Sequence, residues 1–221
     1  MKKILYVILH GEVYKERYYN IKDTWGEDKD LLFYGDYEDI DKGIIKVSEN
    51  KSYRSNEEKH INVLKYFNEN TNYNYEWFFF CDDDTFVNVN KLEESLPSFD
   101  ITQIHGQILR TSEVNGVKIT PPILEYHSGG AGYLIHNSLL KIISKEIKFL
   151  NTGYSDVTLG ICLRDLNIPV SNSDLFKGQP PNFYGYSNES IINHITFHYI
   201  KTKNTMIELL NNIKKNDKIN K

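Results

Sequence analysis

Cysteine is scarce in this sequence, and its scarcity limits the kind of fold. Cys81 and Cys162 are the two cysteines among 221 residues. A scaffold held together by disulfides needs several pairs, so we expect the chain to rely on a hydrophobic core and to work in the cytoplasm or another reducing compartment. Asn, Lys, Ile and Tyr are abundant. This is typical of an AT-rich genome, such as that of a large DNA virus, a protist or a bacterium, which makes a viral or protist host cytoplasm one candidate.

An excess of positive charge is also missing. The chain has 26 basic and 30 acidic residues, which gives a formal net charge of −4. A broad positive field is what draws nucleic acids and anionic membranes to a protein. A nucleic-acid partner is therefore not expected.

Long hydrophobic runs are absent as well. The N-terminal apolar run, Ile4–Leu9, is too short to cross a membrane, and no small-residue cleavage site of a secretion signal follows it. We predict a buried strand there and no membrane span. Because internal repeats and Pro/Gly/Ser-rich linkers are lacking too, we predict one domain over residues 1–205. A C-terminal helix and basic tail would follow over residues 206–221, and the oligomeric state is left open.

Short apolar segments alternate with segments of helical periodicity along the chain. The predicted strands are Ile4–Leu9, Asp30–Tyr34, Glu76–Cys81 and Ile101–Leu109. The predicted helices are Glu57–Asn68, Lys91–Leu96, Asn137–Ile147 and Ser155–Leu166, with Ser155 as a candidate N-cap. Asn115-Gly116 predicts the tight turn of a hairpin, and Pro121-Pro122 opens an extended segment. This order of elements indicates an α/β fold.

The central predicted strand runs into three consecutive acids, in the stretch WFFFCDDDTFVNV. In an extended segment Asp82 and Asp84 project to one side, roughly 6.5 Å apart along the chain, while Asp83 projects to the other. Three neighbouring carboxylates at the edge of a core repel one another, which is costly unless a cation neutralises them. Oxygen ligands suit a hard divalent cation such as Mn²⁺ or Mg²⁺, so we predict a metal site here in preference to a solvated strand end.

One class of metal-dependent phosphoesterase has a similar strand followed by acids and can be tested by spacing. Haloacid dehalogenase-type phosphatases have the pattern Asp-x-Asp-x-Thr after the strand. Starting from Asp82, the threonine position is occupied by Phe86. The pattern fails, and this class is a remote alternative.

Six motifs occur in the order in which a known enzyme family has them. They are Arg17–Gly26, Lys59–Phe67, Glu76–Val87, Ser128–Tyr133, Asp156–Gly160 and Thr196–His198. With these motifs the chain resembles the inverting β-1,3-glycosyltransferases that include Fringe and the core 1 galactosyltransferases. The resemblance covers most of the chain. It implies a GT-A fold, in which a single Rossmann-like domain has a mixed central β-sheet flanked by helices.

The resemblance also implies a chemistry. A metal-dependent, inverting transferase of this kind would move a hexose from a UDP-sugar to an acceptor hydroxyl, with a β-1,3 linkage as the expected product. Mn²⁺ or Mg²⁺ would be the cofactor, and the acceptor would be a glycan or a glycoprotein. The family has a pair of acids where this chain has Ser155-Asp156. The alternative is therefore a non-catalytic module of the same fold that binds a carbohydrate or a nucleotide.

The resemblance implies roles for the residues around the three acids. Asp84 and His198 would hold the metal, and Asp82 would lie nearer the ribose or the uridine. Asp83 is placed with the nucleotide-binding residues. On the sequence alone, His198 is equally a surface histidine between two apolar neighbours.

Roles follow for five further residues. Arg17 and Lys59 would contact the nucleotide phosphates, since cations complement a leaving diphosphate. Gly129 and Gly130 would let the backbone approach the sugar or the diphosphate, although a simple turn also uses glycine. Asp156 is the expected general base. It stands at the predicted start of a helix, where the dipole favours a carboxylate, and an ordinary acid of a first helical turn is the alternative.

Overall fold

The structure is a computed structural model, and it describes residues 2–70, 73–119 and 123–219. Strands and helices alternate along these ranges. The strands are β1 (Lys2–His10), β2 (Leu31–Gly35), β3 (Ile44–Lys46), β4 (Tyr75–Asp82), β5 (Phe86–Val87), β6 (Ile104–Gly106), β7 (Ile108–Thr111), β8 (Glu113–Val114), β9 (Val117–Lys118), β10 (Leu124–His127), β11 (Tyr133–His136), β12 (Val170–Asn172), β13 (Phe176–Lys177) and β14 (Thr196–Phe197). The α-helices are α1 (Arg17–Lys22), α2 (Asn56–Glu69), α3 (Val89–Ser95), α4 (Asn137–Glu146), α5 (Ser155–Asp165), α6 (Asn188–Ile191) and α7 (Lys203–Ile219).

One mixed sheet organises the fold, with seven strands in the order β12-β6-β11-β4-β1-β2-β3. β1 is parallel to β2 and β4, and β2 is parallel to β3. β11 runs antiparallel to both β4 and β6, and β12 is parallel to β6. The expected α/β class with a mixed central sheet is confirmed. Because β1, β2 and β4 are parallel, their carboxyl ends meet at one edge of the sheet.

The central strand β4 is buried on both faces, which explains its continuous apolar sequence. Trp77 and Phe79 contribute to a core that also contains residues of α1, α3, α6 and α7. Phe78 and Phe80 contribute to a second core, which contains residues of α2, α4 and α5. Since successive residues of a strand point to opposite faces, helices cover the sheet on both sides.

The C-terminal helix α7 belongs to the first of these cores. It begins at Lys203, three residues before the predicted start, and its side chains Met206, Leu209 and Ile213 are buried there. None of the helices in the described ranges combines the length and the apolar character that crossing a bilayer requires.

The prediction of a strand over Ile101–Leu109 is wrong in its first part. Residues 101–103 form a turn in which Asp100 accepts hydrogen bonds from the backbone amides of Thr102 and Gln103. The chain becomes extended only at β6 and leaves the central sheet again at β7, which pairs with β10. An aspartate that bonds the amides two and three residues later competes with strand formation.

Two other local predictions have different outcomes. The hairpin turn is confirmed, since Asn115 and Gly116 have φ angles of 50° and 80° between the antiparallel strands β8 and β9. The prediction that Ser155 caps α5 is wrong. Tyr154 occupies the N-cap position without a capping side chain, and Ser155 is the first helical residue. The extended segment expected at Pro121-Pro122 lies outside the described residues.

Candidate active site

The three acids lie at the carboxyl edge of the sheet, where Asp82 is the last residue of β4 and Asp83 and Asp84 are in a turn and not in an extended segment. β4 ends at Asp82, and the amide of Thr85 donates to the carbonyl of Asp82 across 3.1 Å, which closes the turn. The turn places Asp82 and Asp84 close enough to share one ligand, as expected from the sequence. Asp83 is buried and bonds to other partners.

A small three-stranded sheet brings His198 to this turn from the other end of the chain. β14 pairs with β5, which follows the acids, and with β13. The amide of Ile200 donates to the carbonyl of Asp84 across 2.8 Å, so the strand that precedes it is fixed beside the turn. His198, directly after β14, therefore faces the acids although 113 positions of the chain separate it from Asp84.

Asp82, Asp84 and His198 form what we call the acid–histidine cluster. His198 Nε2 lies 3.0 Å from Asp84 Oδ1 and 3.7 Å from Asp82 Oδ2, and one ligand atom from each residue falls within 4.8 Å of the others. The His198 side chain is 12% exposed, which excludes the alternative of an ordinary surface histidine. Two carboxylates and an imidazole are ligands that Mn²⁺ accepts, and the carboxylates also suit Mg²⁺. These residues fit a divalent cation.

The charges of the acid–histidine cluster perturb one another. Burial favours the neutral form of Asp84, but the hydrogen bond with His198 and the nearby charges of His198 and Arg17 outweigh it and lower the Asp84 pKa. Burial likewise disfavours imidazolium, yet Asp84 and Asp82 raise the pKa of His198. Burial, together with the like charges of Asp84 and Asp83, raises the pKa of Asp82 to about 7, against the opposing effect of His198. The protonation state of each residue in the cluster therefore depends on the charges of the others.

Asp83 connects the turn to Arg17. Its Oδ2 accepts a hydrogen bond from His10 Nδ1 across 2.8 Å, and its Oδ1 accepts one from Arg17 Nη1 across 2.7 Å. The same Arg17 nitrogen lies 3.4 Å from Asp84, and the ring of Tyr14 lies 4.1 Å from the guanidinium carbon. Asp83 thus orients Arg17, and a direct contact of either residue with a nucleotide stays a prediction.

Lys59 lies beside the same edge but is already paired. Its ammonium donates to Asp36 Oδ2 across 2.7 Å, and both side chains are buried. Asp36 Oδ1 also accepts from the amide of Glu12. Burial alone would raise the pKa of Asp36, but these two donors lower it. Asp36 compensates the charge of Lys59. The predicted contact of Lys59 with phosphate would therefore require Asp36 and the phosphate to share the Lys59 ammonium.

Two pockets adjoin the acid–histidine cluster. The basic pocket, of about 450 Å³, is named for Arg17, Lys51, Lys59 and Lys201, and its lining also contains the acids Asp36, Asp82, Asp83 and Asp84. The aromatic pocket, of about 440 Å³, contains Asp156 and the largely exposed rings of Tyr53, Tyr154, Phe183 and Tyr199. The residues common to both linings are Leu9, Tyr53, Asn56, Asp82, His198 and Tyr199. The cluster therefore stands at the boundary between the basic pocket and the aromatic pocket.

Gly129 and Gly130 of the Ser128–Tyr133 motif have different surroundings. A Cβ atom on Gly130 would lie 2.0–2.5 Å from atoms of the His198 ring, so Gly130 makes room for the histidine. The carbonyl of Gly130 accepts from Thr85 Oγ1 across 2.8 Å, which ties this turn to the acid turn. A Cβ atom on Gly129 would meet nothing nearer than the Cβ of Asp156, at 3.9 Å. Both glycines line the aromatic pocket, and their contact with a ligand stays a prediction.

Asp156 lies in the first turn of α5 and lines the aromatic pocket. Its Oδ1 accepts from the amide of Val157 across 2.9 Å. Burial raises the Asp156 pKa, although hydrogen bonds from the backbone of Val157 and Gly129 oppose the shift. Loss of water around this carboxyl thus outweighs the backbone donors at the start of the helix.

Several residues of the site were not found from the sequence. The exposed aromatic residues of the aromatic pocket are single residues in loops and short 3₁₀ turns, and no periodicity of the sequence indicates them. Asp36 did carry a signal, since it directly follows the apolar strand β2, much as the acids come at the end of β4.

Comparison with known proteins places this geometry in context. The family profile described as Fringe-like matches residues 7–219. The chain is 25% identical to a beta-1,3-glucosyltransferase of Homo sapiens and 23% identical to one of Mus musculus, each over 167 residues. These matches cover 74% of this chain and 33% of each relative, so the chain spans about a third of the length of the curated relatives it matches.

Among solved structures, the fold is similar to that of a glycosyltransferase involved in the glycosylation of the major capsid of PBCV-1. The TM-score is 0.51 at 14% sequence identity, and the alignment covers 96% of this chain and 99% of that chain. At this identity the likeness concerns the fold alone. The expected GT-A fold class is confirmed.

Proposed function

Because this chain belongs to the Fringe-like family, as the motifs predicted, we propose that it is a metal-dependent, inverting glycosyltransferase. It would move a hexose from a UDP-sugar to an acceptor hydroxyl, and the names of the beta-1,3-glucosyltransferase relatives favour a β-1,3 linkage. The observation that carries the proposal is the position of the acid–histidine cluster between the basic and the aromatic pocket.

The basic pocket suits the nucleotide diphosphate. Arg17, Lys51, Lys59 and Lys201 would complement phosphate oxygens. The first three of these cations already pair with acids of the protein, which are Asp83, Glu12 and Asp36 respectively, and would share themselves between acid and phosphate. Asp84 and His198 would hold the divalent ion, with Asp82 beside them on the side of the ribose or the uridine. A bound Mn²⁺ or Mg²⁺ would offset the negative charge that develops on the departing diphosphate.

The aromatic pocket suits the hexose and the acceptor. Gln107, Gln179 and Ser128 supply amide and hydroxyl groups, and none of the described residues in its lining is a lysine or an arginine. Such a lining favours uncharged, hydroxyl-rich rings, which also stack on aromatic side chains. We propose a neutral hexose as the donor sugar and a glycan or glycoprotein as the acceptor.

Asp156 is the proposed general base. Inversion requires a group that takes the acceptor proton on the face opposite the departing diphosphate. Asp156 lines the aromatic pocket, and its raised pKa makes the carboxylate a stronger proton acceptor than an aspartate in water. Ser155 cannot replace the second acid of the family's pair, so Asp156 would act alone.

A second candidate function follows from that missing acid. A non-catalytic module of the same fold would bind a carbohydrate or a UDP–metal complex without transferring sugar. Ser155 beside Asp156 is the observation that favours it. Calorimetry combined with an assay of UDP release distinguishes the two functions. The module would bind UDP with Mn²⁺ in the calorimeter but would release no UDP from any UDP-sugar.

The test of the proposed function is release of UDP from a panel of neutral UDP-hexoses in the presence of Mn²⁺, Mg²⁺ or a chelator, with saccharide acceptors added. We expect metal-dependent release that Asp84→Ala abolishes. Turnover that persists with the chelator, or in both Asp84→Ala and Asp156→Asn, would contradict the assigned roles.

A further inference from the structure

Glu57 is a buried acid that the proposed mechanism does not use. It lies in the first turn of α2 and is 0% exposed. Its Oε1 accepts from the amide of Leu150 and from Thr158 Oγ1, and its Oε2 accepts from the amide of Gly153, each across 2.8 Å. A buried carboxylate must have such partners, and all three of these come from one region of the chain.

That region leads into α5. Residues 147–154 connect α4 to α5 without regular structure. Asn151 and Gly153 there have φ angles of 58° and 74°, the left-handed region that glycine adopts freely and asparagine adopts more readily than most residues, so the segment turns at these two positions. Glu57 bonds this segment from the interior, and Asn115 Nδ2 bonds the carbonyl of Thr152 from outside, across 2.9 Å. We call residues 147–154 the α5 entry loop.

The contacts of Glu57 fall on both sides of Asp156 in the sequence. Gly153 precedes Asp156 by three residues, and Thr158 follows it by two. The hydroxyls of Thr158 and Thr152 lie 2.7 Å apart, and Thr152 Oγ1 also donates to the carbonyl of Tyr154 across 2.9 Å. One buried carboxylate thus fixes the α5 entry loop and the first turn of α5 together.

We propose that Glu57 is the positioning residue for Asp156. This inference rests on the proposed function, in which Asp156 takes the acceptor proton. Asp156 has backbone contacts to Val157 and Gly129, but where its carboxylate stands in the aromatic pocket depends on where α5 begins. Glu57 sets that point. A displacement of the base by about 1 Å can reduce turnover about 100-fold while leaving donor binding unchanged.

The neighbouring acid offers a matched control. Glu58 stands on the same helix turn, but its carboxylate accepts from Ser48 Oγ across 2.9 Å, away from the α5 entry loop. Glu57→Gln preserves the shape of Glu57 but turns an amide NH₂ group towards a backbone donor. Glu58→Gln makes the same chemical change without touching the loop.

The experiment compares steady-state kinetics of Glu57→Gln and Glu58→Gln, each alone and combined with Asp156→Asn. We expect Glu57→Gln to lower kcat about 10- to 100-fold, with the KM for the UDP-sugar and the calorimetric Kd of the UDP–Mn²⁺ complex unchanged. Glu58→Gln should leave kcat unchanged. In the Asp156→Asn background, Glu57→Gln should cost no further activity, because the base that it positions is gone.

Thr158→Val is the second variant, for the case that Glu57→Gln does not fold. It removes one of the three donors, and a smaller loss of kcat with faster hydrogen exchange of the Gly153 amide is expected. A kcat within about twofold of the unmodified protein for Glu57→Gln, or for Thr158→Val where Glu57→Gln does not fold, would overturn the positioning role. So would an equal loss from Glu57→Gln with and without Asp156. No sugar transfer by the unmodified protein would instead contradict the proposed function itself.

Discussion

Gly130 lacks a side chain where His198 occupies the space, and this pairing of a glycine with a candidate ligand can be tested directly. Gly130→Ala would force the His198 ring to move, because the new Cβ would lie within 2.5 Å of it. The three atoms nearest to that Cβ all belong to the His198 ring, so the ring is the first group that must shift, and we expect the protein still to fold. We expect the affinity for Mn²⁺ in the presence of UDP to fall about 10- to 100-fold, as for other changes that misorient a ligand.

The matched control for that prediction is the preceding glycine. Gly129→Ala would place its Cβ in ordinary contact with Asp156, at 3.9 Å, and should leave the affinity for Mn²⁺ unchanged in the same calorimetric titration. His198→Ala should weaken binding at least as much as Gly130→Ala, and combining the two should add little. Equal effects of Gly129→Ala and Gly130→Ala would contradict the role assigned to Gly130.

Asp156 gives a prediction in which stability and activity move in opposite directions. Its pKa is raised in the folded state by burial, so the folded protein prefers the protonated carboxyl. The stability that this provides is present below the ordinary pKa of 3.8 and is lost as the pH rises through the higher folded pKa. At pH 7, Asp156→Asn should therefore increase the free energy of unfolding, while lowering kcat about 100- to 10,000-fold.

Urea denaturation at several pH values measures this effect. The gain in stability of Asp156→Asn over the unmodified protein should shrink as the pH falls towards 3.8. The acid limb of the kcat profile should lie above pH 3.8, where the base becomes protonated. If Asp156→Asn instead lowers the free energy of unfolding at pH 7, the Asp156 carboxylate stabilises the fold. The proposal that the site holds a charged base at a cost in stability would then be wrong.

At the scale of elements, sequence patterns identified those whose signal is local. The apolar run of β4, the period of α2 and the Asn115-Gly116 turn are visible in consecutive residues, and the structure contains all three. The two-residue strands β5 and β14 are not visible in this way. They form because Thr196 and Val87 pair across 109 positions of the chain, and it is this pairing that brings His198 to the acids. Family resemblance, and not periodicity, indicated that contact.

The contacts of helix α7 were likewise not visible in consecutive residues of the sequence, and they give a further prediction. Leu209 is 5% exposed in the core that also contains β1, whereas Ile207 is 37% exposed on the same helix. Leu209→Ala should lower the free energy of unfolding by about 2–5 kcal/mol. Ile207→Ala should cost less than about 1 kcal/mol. Similar small effects of both changes in urea denaturation would mean that residues from 206 onward are an appended tail, as the proposed domain boundary has it.

At the scale of the whole molecule, the parallel strands β1, β2 and β4 bring separate parts of the site to one edge. Each ends at or next to a residue of the basic pocket: Gly11, Asp36 and Asp82 respectively. The net charge of −4 gives no hint of this pocket, because its cations are concentrated locally in a chain that is acidic on average. Composition predicts no broad positive surface, and only the fold shows that four cationic residues line a pocket together with the three acids.

This arrangement predicts that metal and nucleotide stabilise the whole protein together. Ligands that bind only the folded state add about 2.7 kcal/mol when present at 100 times their Kd. For a domain of this size that gain corresponds to a rise in Tm of roughly 5–11 °C. We expect UDP with Mn²⁺ to raise the Tm by this amount in a thermal melt. UDP with a chelator should raise the Tm far less, because the diphosphate would then face Asp82 and Asp84 without a cation between them.

Two variants test whether the acid–histidine cluster is responsible. Asp84→Asn should remove the effect of Mn²⁺ on the Tm, whereas Asp41→Asn, at an exposed acid distant in sequence from the cluster, should retain it. An equal rise for UDP with and without metal would mean that the acid–histidine cluster does not bind the cation that the nucleotide shares.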